Sequence, residues 1–294
     1  MRIAVIGAKG QVGWELARRA PLLGHEALAW DMAELDITDA VAVDRALAVS
    51  GADAVINAAA YTAVDKAEQE PELAFAVNRD GPAHLAAACN RLHIPLLHIS
   101  TDYVYDGNKP SPYVEDDPVA PLGVYGQSKA EGDDAVLRLL PRHLILRVSW
   151  VFGIHGHNFV KTMLRLAQER EELRVVADQF GCPTYAGDIA DTLLELAGRT
   201  AEIDASGAWG TYHYCGAPAT TWHGFASAII EQAPAVEVLR VQTITAITTA
   251  DYPTPAARPA NSVLDSSRLA FRFGIQPRRW RDGLHALLVA SYAG

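Results

Sequence analysis

The opening run RIAVIGAKGQVGWELARRA joins an apolar strand to a helix through three glycines, Gly7, Gly10 and Gly13. Glycine lets the main chain turn sharply there and approach a pyrophosphate, whose charge then sits at the helix N-terminus. The spacing G-x-x-G-x-x-G also serves plain structural turns. The strand before it and the helix after it favour a dinucleotide site.

Such a turn belongs to a parallel sheet, and the first half of the chain supplies one. HEALAW, ADAVINAA, PLLHIST and HLILRVSW read as further strands, alternating with helical stretches. Thr38 or Asp39 is placed to cap the helix through VDRALAVSG, and an Ala-rich run from Pro71 to His93 reads as one long helix. Strands buried on both faces and alternating with helices imply right-handed crossovers, hence a doubly wound, Rossmann-like α/β fold. Beyond residue 155 the pattern loosens into helices over NFVKTMLRLAQER, GDIADTLLELAGR, TWHGFASAIIEQ and WRDGLHALLVAS, with short strands at LRVVAD and GTYHYCG. Residues 1–155 are therefore expected to form the dinucleotide-binding domain with a catalytic helix. Residues 156–294 are expected to form the end of the sheet and a smaller, interleaved substrate lobe.

A formal charge of −10 argues against a general binder of nucleic-acid backbone, but not against phosphorylated small molecules. Cys89, Cys182 and Cys215 are far apart with no CxxC, and GIHGHN lacks metal-ligand spacing, so reduced thiols and no metal are expected. MRIAVIGAKG has no leader anatomy, and no run approaches the roughly 20 apolar residues of a membrane span. The expectation is a cytoplasmic protein.

Asp31 ends the second strand, where an acid can accept from an adenosine ribose, and Asp36-Ile37 follows within reach of the adenine. Lys9 in the turn offsets that acid, so NADH and NADPH both stay open. Ala58, Ala59 and Ala60 leave room for a cofactor to cross the sheet edge, although small-residue packing explains them equally well.

Two Tyr-x-x-x-Lys pairs occur, Tyr105/Lys109 and Tyr125/Lys129. On a helix such partners share a face, and an ammonium beside a phenol lowers its pKa toward a usable general acid. Tyr105 and Lys109 enclose Asp-Gly-Asn and precede Pro110, which makes them a turn. Tyr125 and Lys129 run into a helical pattern, and Ser100-Thr101 at the end of the fourth strand stands where ligands meet such sheets.

These residues, with the segments GQVGWEL, NAAAYTAVDKAE, STDYVYDG, VYGQSKAEG, SWVFG, NFVKTMLRLA, DQFGCPT, TTWHGFA and TADYPTPAARPANSVLD, carry a resemblance. The chain resembles the extended short-chain dehydrogenase/reductase superfamily and, within it, the dTDP-4-dehydrorhamnose reductases, over nearly its whole length. The resemblance implies NADH or NADPH held at Gly7, Gly10, Gln11, Val12 and Ala58–Ala60, and a catalytic set of Thr101, Tyr125 and Lys129. Hydride would pass to the C4 ketone of dTDP-6-deoxy-L-lyxo-4-hexulose. Tyr125 would donate the proton, Lys129 would lower its pKa and hold the nicotinamide ribose, and Thr101 would orient the carbonyl. Thr62, Val64, Tyr103 and Trp150 would line the sugar site, with Arg258 and Asn261 toward the nucleotide.

Related 4,6-dehydratases carry Asp-Glu after the threonine; here Asp102-Tyr103 follows Thr101, which favours simple reduction. Some members of the family bridge two subunits with a divalent cation at the Glu15 position. The tail LLVASYAG lacks the acid that would join it, so a magnesium-bridged dimer is not expected, and monomer and homodimer both stay open. Two alternatives remain: a nucleotide-sugar epimerase, and a dinucleotide-binding regulatory subunit of methionine adenosyltransferase type.

Overall fold

The structure is a computed structural model and describes residues 1–233 and 239–292. Its first half runs β1 (Arg2–Ile6), α1 (Gln11–Arg19), β2 (Glu26–Trp30), α2 (Ala40–Ser50), β3 (Ala54–Asn57), α3 (Gly81–Leu92), β4 (Leu96–Thr101), α4 (Val124–Leu139) and β5 (His143–Val148). One six-stranded sheet, all parallel, has the order Gly210–His213, β5, β4, β3, β1, β2. The chain leaves β1 for one side of the sheet and returns to the other at β3. The crevice outside the carboxyl ends of these two strands is where doubly wound sheets take their ligands.

Period-two alternation explains why these strands read as continuous apolar runs. In β1, Ile3 and Val5 face one layer with Leu16, Ile56 and Leu146, while Ala4 and Ile6 face the other with Val55, Leu85 and Ile145. Helix Ala186–Gly198 completes the first layer through Ile189 and Leu193, packing beside α1. The second half is thus woven into the first: it supplies both this helix and the edge strand Gly210–His213. A third core, around Phe152, Leu173, Phe225 and Trp280, holds the remaining lobe.

Local differences from the sequence expectation have local causes. The α-helix after the glycine turn stops at Arg19, and Ala20–Leu23 tightens into a 3₁₀ turn, because Pro21 has no N–H to donate. Asp39, not Thr38, caps α2, its Oδ1 accepting from Val41 and Ala42 N–H. The Ala-rich run contains a wide π-type turn over Ala76–Asp80, between the helix Pro71–Phe75 and α3. There buried Asn78 bonds Tyr61 at both its N–H and its carbonyl, and bonds the Ser128 hydroxyl of α4. Strand Thr243–Ile247, paired in parallel with Glu172–Val176, was not foreseen. It is partly exposed and rich in threonine, so no apolar run marks it.

Candidate active site

The glycine turn is closely packed. Gly7 has φ +79°, and a Cβ there would lie 2.6 Å from the Ala59 nitrogen; one on Gly13 would lie 2.0 Å from the Gly7 carbonyl oxygen. Gly7 and Ala8 N–H both donate to the Trp30 carbonyl, and Lys9 N–H donates to Asp31 Oδ2 at 2.8 Å. Asp31 therefore ties the turn to the end of β2, while its Oδ1 takes the Met32 N–H. Opposite lies a cleft of about 330 Å³ lined by Gly7, Gly10, Asp31, Asp36, Ile37 and Ala58–Ala60. Asp36 folds its carboxylate back onto the Thr38 N–H and hydroxyl. Gly13 lines neither this cleft nor its neighbour; it lets α1 approach the turn.

A larger cleft of about 590 Å³ shares Gly10, Ala58 and Ala60 with the first. Gln11, Val12, Thr62, Val64, Thr101, Tyr103, Tyr125, Lys129 and Trp150 all line it. Thr101 is the last residue of β4, and Tyr125 and Lys129 stand one turn apart in α4. The glycine between them is required, since a Cβ at Gly126 would fall 2.3 Å from the Tyr103 carbonyl oxygen. Tyr103 meets the Tyr125 ring edge-on at 5.4 Å. Thr101 Oγ1 donates to Asp102 Oδ1 at 2.9 Å and accepts the Tyr103 N–H at 3.2 Å.

One expectation is corrected here. Lys129 does not pull the Tyr125 pKa down: burial pushes the phenol up to about 12, and a bond with Thr101 only moderates this. The Lys129 nitrogen instead points into the sheet, donating to the Ile99 carbonyl at 2.7 Å with His98 Nε2 at 3.3 Å. Burial takes its own pKa down to about 8, against the pull of Asp133.

The two nucleotide-side candidates stand outside both clefts. Asn261 lines neither cleft. Its Nδ2 donates to the carbonyls of Lys109 and Ser111 and its Oδ1 accepts from Val263 N–H, so it clips the proline-rich loop in place. Arg258 lies outside the clefts as well, paired with Asp65 at 2.8 Å beside cleft-lining Val64. Tyr105 and Lys109 part company as expected. Tyr105 is buried against Arg147 and His213, while Lys109 pairs with Asp117.

The sequence reading missed Asp102, which is 2% exposed and leaves Oδ2 without a hydrogen-bond partner. Burial pushes this carboxyl up to about 7 from an ordinary 3.8. The folded protein thus holds a proton there that the unfolded chain releases. That contribution to stability is complete below about pH 4 and is lost as pH rises through about 7. Asp102→Asn should therefore gain stability relative to the parent between pH 4 and pH 8, by up to about 4 kcal/mol, in paired denaturant melts. A difference that stays flat with pH would contradict the buried acid.

The reading also missed the aromatic wall behind Trp150. Trp150 stacks on Trp222 at 3.6 Å and holds φ +47°, a conformation costly for a bulky residue. Glu15 is buried, and Arg18 and Arg19 donate to its Oε2 at 2.9 and 2.8 Å, so its charge is already matched by guanidinium groups. Among the described residues no three His, Cys, Asp or Glu side chains are grouped to hold a metal ion. Ala293 and Gly294 of the LLVASYAG tail lie outside the described residues. No helix among the described residues is long and apolar enough to cross a membrane.

Comparison with known proteins adds a family to this geometry. The family profile described as RmlD substrate binding domain matches residues 1–292. A dTDP-4-dehydrorhamnose reductase of Aggregatibacter actinomycetemcomitans is 49% identical over 285 residues, covering 96% of this chain and 97% of its own. One of Escherichia coli K12 is 40% identical, covering 98% and 97%. The crystal structure of the Bacillus anthracis dTDP-4-dehydrorhamnose reductase in complex with NADP superposes with a TM-score of 0.91 at 34% identity, covering 98% of each chain. Matched along nearly its entire length in both sequence and structure, the chain belongs to the dTDP-4-dehydrorhamnose reductase family.

Proposed function

We propose that this protein reduces the C4 ketone of dTDP-6-deoxy-L-lyxo-4-hexulose to give dTDP-L-rhamnose, using NADH or NADPH. The observation that carries the reading is the meeting of Thr101, Tyr125 and Lys129 in the larger cleft, which shares Gly10, Ala58 and Ala60 with the glycine-lined one. The glycine turn fits a dinucleotide, because side chains at Gly7 or Gly13 would fill the space its tight backbone needs. The reduced cofactor, when bound, supplies the hydride.

The protein's own groups do the rest. Tyr125 keeps its proton across the working pH range, since burial holds its pKa near 12, so it serves as the acid that protonates the developing C4 alkoxide. Thr101 stands beside that phenol, and its single hydroxyl hydrogen, donated to Asp102 in this structure, turns to the ketone oxygen to orient it. Lys129 lines the larger cleft, and its nitrogen turns from the Ile99 carbonyl to hold the nicotinamide ribose when the cofactor is bound. Thr62, Val64, Tyr103 and Trp150 enclose the sugar, and Arg258, held by Asp65 just outside the cleft, is the residue nearest to hand for the nucleotide. Asp31, Asp36 and Ile37 take the adenosine end. Residues 1–155 carry the cofactor half and the sugar-facing residues named above, and residues 156–294 complete the larger cleft through Phe159, Trp222 and Phe225.

Loss of nicotinamide absorbance on mixing the protein with the 4-keto sugar nucleotide, run with NADH and NADPH side by side, tests the proposal. Turnover with at least one of the two is expected, and turnover with neither would refute it.

A further inference from the structure

Asn57, the last residue of β3, and His98, on β4, are direct register partners and are both fully buried. Asn57 Oδ1 lies 3.1 Å from the Ala59 N–H. A backbone N–H can only donate, so the carboxamide has one orientation: oxygen to Ala59, nitrogen to His98. Asn57 Nδ2 stands 3.0 Å from His98 Nδ1 and can only donate to it. His98 Nδ1 must therefore present its lone pair. Burial keeps the imidazole neutral, so its single hydrogen sits on Nε2.

That Nε2–H faces Lys129 Nζ at 3.3 Å. An ammonium has only donors and would meet it hydrogen to hydrogen. A neutral amine offers a lone pair and still donates to the Ile99 carbonyl at 2.7 Å. The surrounding charges do not cancel this. On α4, Asp133 is one turn beyond Lys129, but its Oδ2 takes Ser100 Oγ at 2.9 Å and Arg147 Nε at 3.1 Å. Its Oδ1 has no hydrogen-bond partner and lies 3.9 Å from His98 Nε2. On β5, Arg147 is shared between Asp133 and the Tyr105 hydroxyl, and His143 adds only repulsion toward His98. Tyr125, on Lys129's own helix, is a neutral phenol.

We infer that Asn57 and His98 form a tautomer lock that sets the proton count of Lys129. They are positioning residues, acting on the reaction through Lys129 alone. The lock favours amine over ammonium, so Lys129 gives up its proton at lower pH than an ordinary lysine. The consequence for catalysis rests on Lys129 acting beside Tyr125, as proposed above. The lock itself is read without any turnover.

With ¹⁵N-histidine labelling, the His98 resonance (assigned by its loss in His98→Gln) should show hydrogen on Nε2 and none on Nδ1 at neutral pH. Hydrogen on Nδ1 would overturn the lock whether or not Asn57→Asp folds. Asn57→Asp offers Nδ1 only acceptors, so His98 should switch to the Nδ1–H form and accept from Lys129. The Lys129 titration, followed at ¹³Cε among five lysines and assigned with Lys129→Met, should then rise by about 1–3 pH units. A tautomer that switches while the Lys129 titration stays put would overturn the coupling. A failure to reduce the sugar nucleotide would leave both resonances to be read, and so bears only on the proposed reaction.

Discussion

Replacing Tyr125 with phenylalanine is expected to lower kcat by about 10²- to 10⁴-fold, the usual loss when a positioned general acid is removed. The substitution keeps the ring, and with it the edge-on contact to Tyr103 at 5.4 Å, so the cleft wall should survive. Only the hydroxyl beside Thr101 is lost. Burial holds that hydroxyl protonated up to about pH 12, which makes it a donor rather than a base throughout the physiological range. Cofactor affinity should therefore change by no more than about twofold, since the loss falls on the transition state alone. Steady-state kinetics with a parallel binding titration separate the two effects. Unchanged kcat would refute the role of Tyr125; a matching collapse in cofactor binding would make it a structural residue.

The second large effect is expected at Gly13. A Cβ there would sit 2.0 Å from the Gly7 carbonyl oxygen, 2.7 Å from the Gly7 carbonyl carbon and 2.9 Å from Ala8 Cα. All three are main-chain atoms, so no side chain can swing aside. Either the first turn of α1 or the glycine turn must move. Gly13→Ala should cost about 1–3 kcal/mol of stability and, by displacing the turn, weaken cofactor binding. Gly198 is the control. Nothing lies within 4 Å of a Cβ there, and alanine at this helix end should leave both quantities nearly unchanged. Thermal melts and calorimetric titration with each cofactor read the pair. Full cofactor affinity in Gly13→Ala would remove the turn from the binding site.

What the sequence made legible follows from what is local. Strand β1, the glycine turn and α1 are encoded within twenty residues, and alternation along each strand is visible without knowing its neighbours. Tyr125 and Lys129 could be singled out from Tyr105 and Lys109 because a helix puts residues four apart on one face, whereas Pro110 denies Lys109 that geometry. Contacts that depend on register were hidden. Asn57 and His98 are 41 residues apart and meet only because β3 and β4 align in one particular way. A lone histidine in an apolar strand carries no mark of its partner. Asn261 shows a different limit. The resemblance suggested a nucleotide contact, but its carboxamide is committed to the carbonyls of the proline-rich loop. The effect of Lys129 on Tyr125 was misjudged for a third reason: helical spacing places two residues on one face, but it does not say where the longer side chain points.

The most direct test of the proposed reaction is isotopic. Cofactor deuterated at the transferable C4 position of its nicotinamide should be oxidised mole for mole with dTDP-L-rhamnose formed, and the deuterium should appear at C4 of the sugar. Product carrying no deuterium at C4, or sugar altered with the cofactor returned unspent as an epimerase would leave it, would contradict reduction at this site.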